Sequence, residues 1–383
     1  MSDRPVPFNR PYMTGRELEF ITQAHERGAL AGDGPFTARC HEWLERLTDS
    51  PRALLTHSCT AALEMAALLL DIQPGDEIIM PSFTFVSTAN AFVLRGGIPV
   101  FVDIREDTLN IDEQLIEAAI TSRTRAVCVV HYAGVACEMD EIQSICQRYE
   151  LALVEDAAQG LMSLYKGRAL GAIGDYGAYS FHETKNIISG EGGALMVNSP
   201  YDVQMAEIIR EKGTDRSAFY RGEVDKYTWQ APGSSFLPGE IIAAFLWAQF
   251  EDADDINEKR LLSWRIYDRL LEQMEQQGRL RRPVIPVECD HNAHLYYGIL
   301  PAEVDRGVVL SYLKEQQIHC LFHYVPLHDS PAGKKYARTH GDLVVTESMA
   351  SRLLRLPLWV GITSDDQERV VATLDRAIDL GRA

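Results

Sequence analysis

Between about residues 50 and 200, short β-branched and apolar runs alternate with segments of helical spacing, and that alternation leaves few folds open. Candidate strands are Ala53–Thr56, Glu77–Pro81, Ile98–Asp103, Ala126–His131, Leu151–Asp156, Tyr176–Phe181 and Gly193–Val197. Ile111–Ala119 and Met139–Tyr149 read as amphipathic helices between them. Strand–helix–strand units lay parallel strands side by side in an α/β sheet, which binds ligands beyond the carboxyl ends of its strands. The chemistry is therefore expected in the turns that follow the strands.

A chain of 383 residues exceeds what a single core usually absorbs. The expected division is a large α/β domain over residues 1–250 and a small α+β domain over 251–383. Residues 200–238 show no periodicity and read as a functional or disordered loop. Glu240–Phe250 and Asn257–Gln277 read as helices. Beyond them, strands are expected near Leu295–Leu300 and Ile318–Tyr324, with helices near Val304–Gln316 and Asp365–Leu380.

Several function classes are excluded. With 37 Lys+Arg against 55 Asp+Glu, the formal net charge is −18, the wrong sign for a broad nucleic-acid or anionic-membrane surface. The most apolar stretch, Ala61–Leu70, is shorter than a membrane span and carries Glu64. The first twenty residues contain no apolar core of signal-peptide length, so a cytoplasmic location is expected. Seven Cys without a C-x-x-C pair suit reduced thiols and no metal site. Neither G-x-G-x-x-G between strand and helix nor a Walker-type phosphate loop is present, which argues against nicotinamide and P-loop chemistry.

Three turns carry chemistry-bearing residues. After the first strand comes His57-Ser58-Cys59-Thr60 and an Ala/Leu/Met-rich helix. Small hydroxyl residues there cap a helix in any protein, and the same amides and hydroxyls can hold a phosphate. Glu155-Asp156-Ala157-Ala158-Gln159 closes a later strand. Its acids serve as cap or ion-pair partners, or Asp156 keeps a heteroaromatic nitrogen protonated. Ser180-Phe181-His182-Glu183-Thr184-Lys185 then leads into Gly190-Glu191-Gly192-Gly193. Residues 1–165 contain no Lys, and Lys185 lies in a turn where desolvation would lower its pKa toward Schiff-base chemistry.

In this order on one sheet, the turns supply handles for the phosphate, ring nitrogen and aldehyde of pyridoxal phosphate. An aromatic to cover the ring is available in Pro81-Ser82-Phe83-Thr84-Phe85.

The chain also resembles the DegT/DnrJ/EryC1/StrS sugar aminotransferases from Pro7-Phe8-Asn9 to Leu353–Leu358. SCTAALEMAALLLDIQPGDE (58–77), PSFTFVSTANAFVLRGG (81–97), HYAGVACEMD (131–140), SFHETKN (180–186) and VDKYTW (224–229) carry the resemblance. It implies a fold-type-I pyridoxal phosphate enzyme working as a homodimer with shared active sites. It also implies transfer of an amino group from glutamate to C4 of dTDP-4-keto-6-deoxy-D-glucose, giving the 4-amino-4,6-dideoxy-D-galactose product. The setting would be lipopolysaccharide or enterobacterial common antigen synthesis. The gluco epimer or amination at C3 stays open, and a sugar-nucleotide-binding regulator is the non-enzymatic alternative. A dehydratase is disfavoured because relatives that dehydrate typically lack the Schiff-base Lys.

Carried over by position, the resemblance makes Lys185 the Schiff-base residue and proton shuttle, and pairs Asp156 with the pyridinium nitrogen. Gln159 would contact the ring oxygen, Phe85 would stack on the ring, and Cys59, Thr60 and Ser180 would hold the phosphate. Where many relatives have G-x-N-x-R, this chain has Gly233-Ser234-Ser235-Phe236-Leu237, so Ser235 would replace the partner chain's Asn. Ile188-Ser189 stands where relatives often have Thr. His182, Lys212, Arg216, Tyr227, His323, Tyr324 and His328 fall in regions that line the sugar-nucleotide site in the family. His182 also has the plain alternative of packing beside its strand.

Overall fold

The computed structural model describes residues 4–382. In chain order the strands are β1 (Arg52–Thr56), β2 (Glu77–Pro81), β3 (Ile98–Val102), β4 (Thr124–Val130), β5 (Ala152–Asp156), β6 (Leu164–Tyr165), β7 (Arg168–Ala169), β8 (Tyr176–Ser180) and β9 (Gly193–Val197). β10 (Cys289–Asp290), β11 (Tyr296–Ile299), β12 (Arg338–Thr339) and β13 (Leu353–Leu356) follow.

Eight of these form one sheet in the order β1-β9-β8-β5-β4-β2-β3-β12. β9 is antiparallel to both neighbours, and every other pairing in the sheet is parallel. The inner strands are buried along nearly their whole length, which explains their continuous apolar runs. The helix Cys59–Leu69 is likewise apolar on most sides because it is packed into this core. Met139–Tyr149 instead buries one face and carries Asp140 and Glu141 in its first turn and Arg148 in its last, complementing the helix dipole.

A second cluster packs Trp264, Tyr267 and Leu271 of the long helix Ala253–Gln276 against Tyr296, Leu354 and Leu374. The small sheet here pairs β11 with β13 antiparallel. β12 returns to the large sheet beside β3. It is tied there by Arg338, whose Nε and Nη2 donate to the buried Glu77 carboxylate at 3.0 and 2.7 Å.

Two expectations need correction. Ile318–Tyr324 is not a strand: its backbone makes isolated bridges only, Ile318 to Val6 and Leu321 to Arg355. It then turns sharply at Tyr324, whose φ is 25°. The segment 200–238 is also more regular than expected, since Val203–Arg210 is a helix with Ala206 and Ile209 in the core under the sheet. Its few apolar residues fall on one face, and the polar loop that follows hides that pattern.

Candidate active site

All strands of the large sheet except β9 end at one edge, and β9 begins there. The turns that follow β1, β5 and β8 consequently meet in a cavity of about 580 Å³. Three walls of it can be built from local causes.

The first wall is the start of the helix Cys59–Leu69. Ser58 adopts an extended backbone and its Oγ accepts from the Ala61 amide at 3.0 Å, the geometry of an N-cap. The amides of Cys59 and Thr60 precede the first intrahelical bond, at the positive end of the helix dipole, and both residues line the cavity. Gly193 packs directly against this end. A Cβ there would lie within 2.6 Å of the Ser58 carbonyl oxygen and run into the Cys59 amide, so β9 can start beside the helix only without a side chain. Thr60 Oγ1 shares a 2.7 Å hydrogen bond with Ser87 Oγ, and Ser180 closes the wall from the end of β8.

Asp156 forms the second wall. It is buried at the end of β5, where its Oδ2 accepts from Thr88 Oγ1 at 2.7 Å and its Oδ1 accepts from the Ala158 amide at 3.2 Å. Burial pushes its pKa up, while those two hydrogen bonds and the charge of Lys185 pull it down. A cation placed against this carboxylate would complete the pair. Nearby, Gln159 is fixed on both sides: its Oε1 accepts from Ala133 N–H at 2.7 Å and its Nε2 donates to Tyr324 Oη at 2.8 Å.

The third wall carries Lys185. Phe181 and Glu183 donate their amides to the carbonyls of Gly192 and Gly190, and the Lys185 amide donates to the His182 carbonyl at 2.9 Å. The loop between β8 and β9 is thereby closed on itself. Asn186 anchors it further, donating to the Asn292 carbonyl at 2.7 Å and meeting His294 Nδ1 at 3.0 Å. Lys185 Nζ has no hydrogen-bond partner among the described residues. Burial lowers its pKa from the usual lysine range, with Cys59 and Asp156 acting in the opposite direction. A larger share of the amine is therefore neutral and nucleophilic than in water.

Cys59, Thr60, Phe85, Asp156, Gln159, Ser180, His182, Lys185, His323 and Tyr324 all line this one cavity. Phe85 is 58% exposed, so its ring is free to cover a ligand. His182 sits at the rim, its Nδ1 2.9 Å from Thr184 Oγ1. His323 and Tyr324 stack at 3.7 Å, and Tyr132 Oη meets His323 Nδ1 at 2.8 Å. Burial holds the His323 pKa well below the usual histidine value, so the ring is neutral at pH 7.

The other expected residues lie elsewhere in this chain. Lys212 and Arg216 pair with Glu211, at 3.1 and 3.6 Å. Tyr227 packs on Phe219 with ring centroids 5.7 Å apart. The Ser235 carbonyl faces His57 Nε2 at 3.1 Å. His328 stands behind the cavity wall, bridging Ser82 Oγ at 2.7 Å and Glu347 Oε1 at 3.3 Å. Conversely, Thr88, His294 and Arg355 belong to the site and were not anticipated. Thr88 sits three residues after Phe85 in a segment already singled out, and helical spacing from Phe85 could have indicated it.

These walls fit pyridoxal phosphate. Free helix amides with hydroxyls suit the phosphate, a buried carboxylate suits a ring cation, and a desolvated amine suits the aldehyde. The sequence profile of the DegT/DnrJ/EryC1/StrS aminotransferase family matches residues 11–375. The spore coat polysaccharide biosynthesis protein SpsC of Bacillus subtilis is 32% identical over 374 residues, covering 96% of this chain and 95% of that protein. Among solved structures, DesV of S. venezuelae in complex with a ketimine intermediate superposes with TM-score 0.87 at 29% identity, covering 97% and 98% of the two chains. The aminotransferase TlmJ from Streptoalloteichus hindustanus superposes with TM-score 0.89 at 26% identity, covering 98% and 100%. The chain belongs to the DegT/DnrJ/EryC1/StrS aminotransferase family and is a pyridoxal phosphate-dependent sugar aminotransferase.

Proposed function

We propose that this aminotransferase moves an amino group from glutamate to C4 of dTDP-4-keto-6-deoxy-D-glucose, making it a dTDP-4-amino-4,6-dideoxy-D-galactose transaminase. It would act in the cytoplasm as a homodimer, supplying an amino sugar for a surface polysaccharide. The convergence of Lys185, Asp156 and the Cys59–Thr60 helix start in one cavity carries the aminotransferase chemistry. Support for this sugar comes from the long stretches 58–77, 81–97 and 224–229, and from the polysaccharide role in the name of SpsC.

When bound, pyridoxal phosphate supplies an aldehyde that captures amines and a ring that takes up an electron pair from the carbon beside the nitrogen. Lys185 Nζ would be the amine that holds the aldehyde, and its lowered pKa would suit it to act as the proton-moving base. The Asp156 carboxylate would keep the ring nitrogen protonated. Gln159, pinned between Ala133 and Tyr324, is set to orient the ring oxygen. The amides of Cys59 and Thr60 and the Ser180 hydroxyl would hold the phosphate, and Phe85 would cover the ring.

The test is product analysis with purified protein, pyridoxal phosphate, glutamate and dTDP-4-keto-6-deoxy-D-glucose. An axial C4 amine by NMR is the expected result. An equatorial amine would move the enzyme to the gluco branch. No amino sugar at all, from protein whose visible band is bleached by glutamate, would refute this substrate. Lys185→Ala should abolish turnover.

A further inference from the structure

Arg355 on β13 is a half-buried cation in the cavity wall with no carboxylate against it. Its Nε and Nη2 both donate to the Phe322 carbonyl, at 3.3 and 3.1 Å, and its guanidinium lies 4.8 Å from the centroid of the Phe8 ring. Its Nη1 has no acceptor among the described residues. The carboxylates lining the cavity are engaged elsewhere: Asp156 with Thr88 and Ala158, and Glu191, exposed at the rim, 3.7 Å from His182 Nε2. The buried cation Arg260, by contrast, spends its fork on the carbonyls of Ala293 and His294.

A guanidinium taken out of water without an anion is costly, and its planar fork matches a carboxylate. Arg355 lines the same cavity as Lys185, His323 and Tyr324. An anion that meets its Nη1 from the cavity would share that space with Lys185. On an amino acid the α-carboxylate is one bond from the carbon whose proton Lys185 moves. On a sugar nucleotide aminated at C4, the diphosphate hangs from C1, across the hexose ring. We propose that Arg355 binds a carboxylate of the amino donor through Nη1 and so selects amino acids over simple amines. This rests on the aminotransferase reading and adds the residue that recognises the donor.

The experiment uses cofactor-loaded protein and the first half of the reaction, which needs no sugar. Wild type, Arg355→Gln and Arg355→Lys are titrated with glutarate, which carries carboxylates without an amine, following the visible band of the lysine-bound cofactor. The same variants are then reacted with L-glutamate and with n-butylamine, which has no carboxylate. Arg355→Gln should weaken glutarate binding and raise the half-saturating glutamate concentration by about 30-fold, the scale of one charge-assisted pair. The butylamine reaction should stay within about twofold, and Arg355→Lys should fall between. Glutarate and glutamate responses within about threefold of wild type would overturn the proposal, as would an equal loss with butylamine, the mark of a merely structural role. A defect confined to the second half-reaction, from pyridoxamine phosphate-loaded protein and keto sugar, would overturn it in favour of diphosphate binding. Should wild type aminate no dTDP-sugar, the substrate reading falls while the glutamate and glutarate results still decide the role of Arg355.

Discussion

At the residue level the site works by opposed effects on charge. Burial raises the Asp156 pKa, and the hydrogen bond from Thr88 acts against that rise, favouring the carboxylate that a protonated ring nitrogen would need. Thr88→Val keeps the shape and removes the donor. Such a bond to a charged group contributes about 1.5–3 kcal/mol, so turnover should fall about tenfold or more. The sign of the pH effect follows from the same bond. Without it the Asp156 pKa rises further, so the acid limb of the pH–rate profile should move to higher pH. A profile unchanged in both height and position would show that Thr88 does not tune Asp156. Lys185 and Asp156 were legible in the sequence because a strand end exposes whatever residue follows it. His294 and Arg355 were not, because their contacts are with residues 108 and 33 positions away, and Thr88 was open only to helical spacing from Phe85, its partner Asp156 being 68 positions away.

Among the elements, the contact between β9 and the helix Cys59–Leu69 sets the cavity wall proposed to hold the phosphate, and Gly193 is its pivot. Gly193→Ala would set a methyl against the Cys59 amide and the Ser58 carbonyl, both backbone groups that cannot rotate away. Overpacking of this kind costs about 1–3 kcal/mol. Because the strain falls on the helix start, pyridoxal phosphate affinity measured by fluorescence titration should drop about tenfold or more, with a lower unfolding temperature. Unchanged affinity would mean that the cofactor does not use these amides. The seven longer strands of residues 50–200 were readable because they are buried along nearly their whole length and are mostly apolar, whereas β6 and β7, two residues each, leave no pattern to read. The helix Glu17–Arg27 was not foreseen: it has no capping side chain and buries only Glu17, Phe20 and Ala24. Ile318–Tyr324 misled for the opposite reason. Its apolar and aromatic residues look like a strand, yet they serve to turn His323 and Tyr324 into the cavity.

For the molecule as a whole, the informative fact is which expected residues stay outside the cavity. Lys212, Arg216 and Tyr227 lie on a segment whose Tyr220 and Trp229 are 69% and 80% exposed, an unusual cost for large aromatic surface. A second copy of the chain covering that segment would explain the exposure and would deliver these residues to the partner's Lys185. Periodicity and motifs do not say which copy a loop serves; only the family resemblance, which implies shared active sites, points from this long loop to the partner chain. Genetic complementation separates the cases. One chain carries Lys185→Ala, and the other carries Lys212→Ala, Arg216→Ala and Tyr227→Ala together. Each variant alone should be nearly inactive. If the loop serves the partner, every mixed two-fold dimer contains one site with both defects and one with neither. Equal co-expression and random pairing should then restore about a quarter of wild-type activity. If the loop serves its own chain, both sites of the mixed dimer keep one defect each and no activity returns. Recovery near a quarter, lost again when the mixed dimers are dissociated and re-sorted by tag, is the outcome expected from the exposed aromatics.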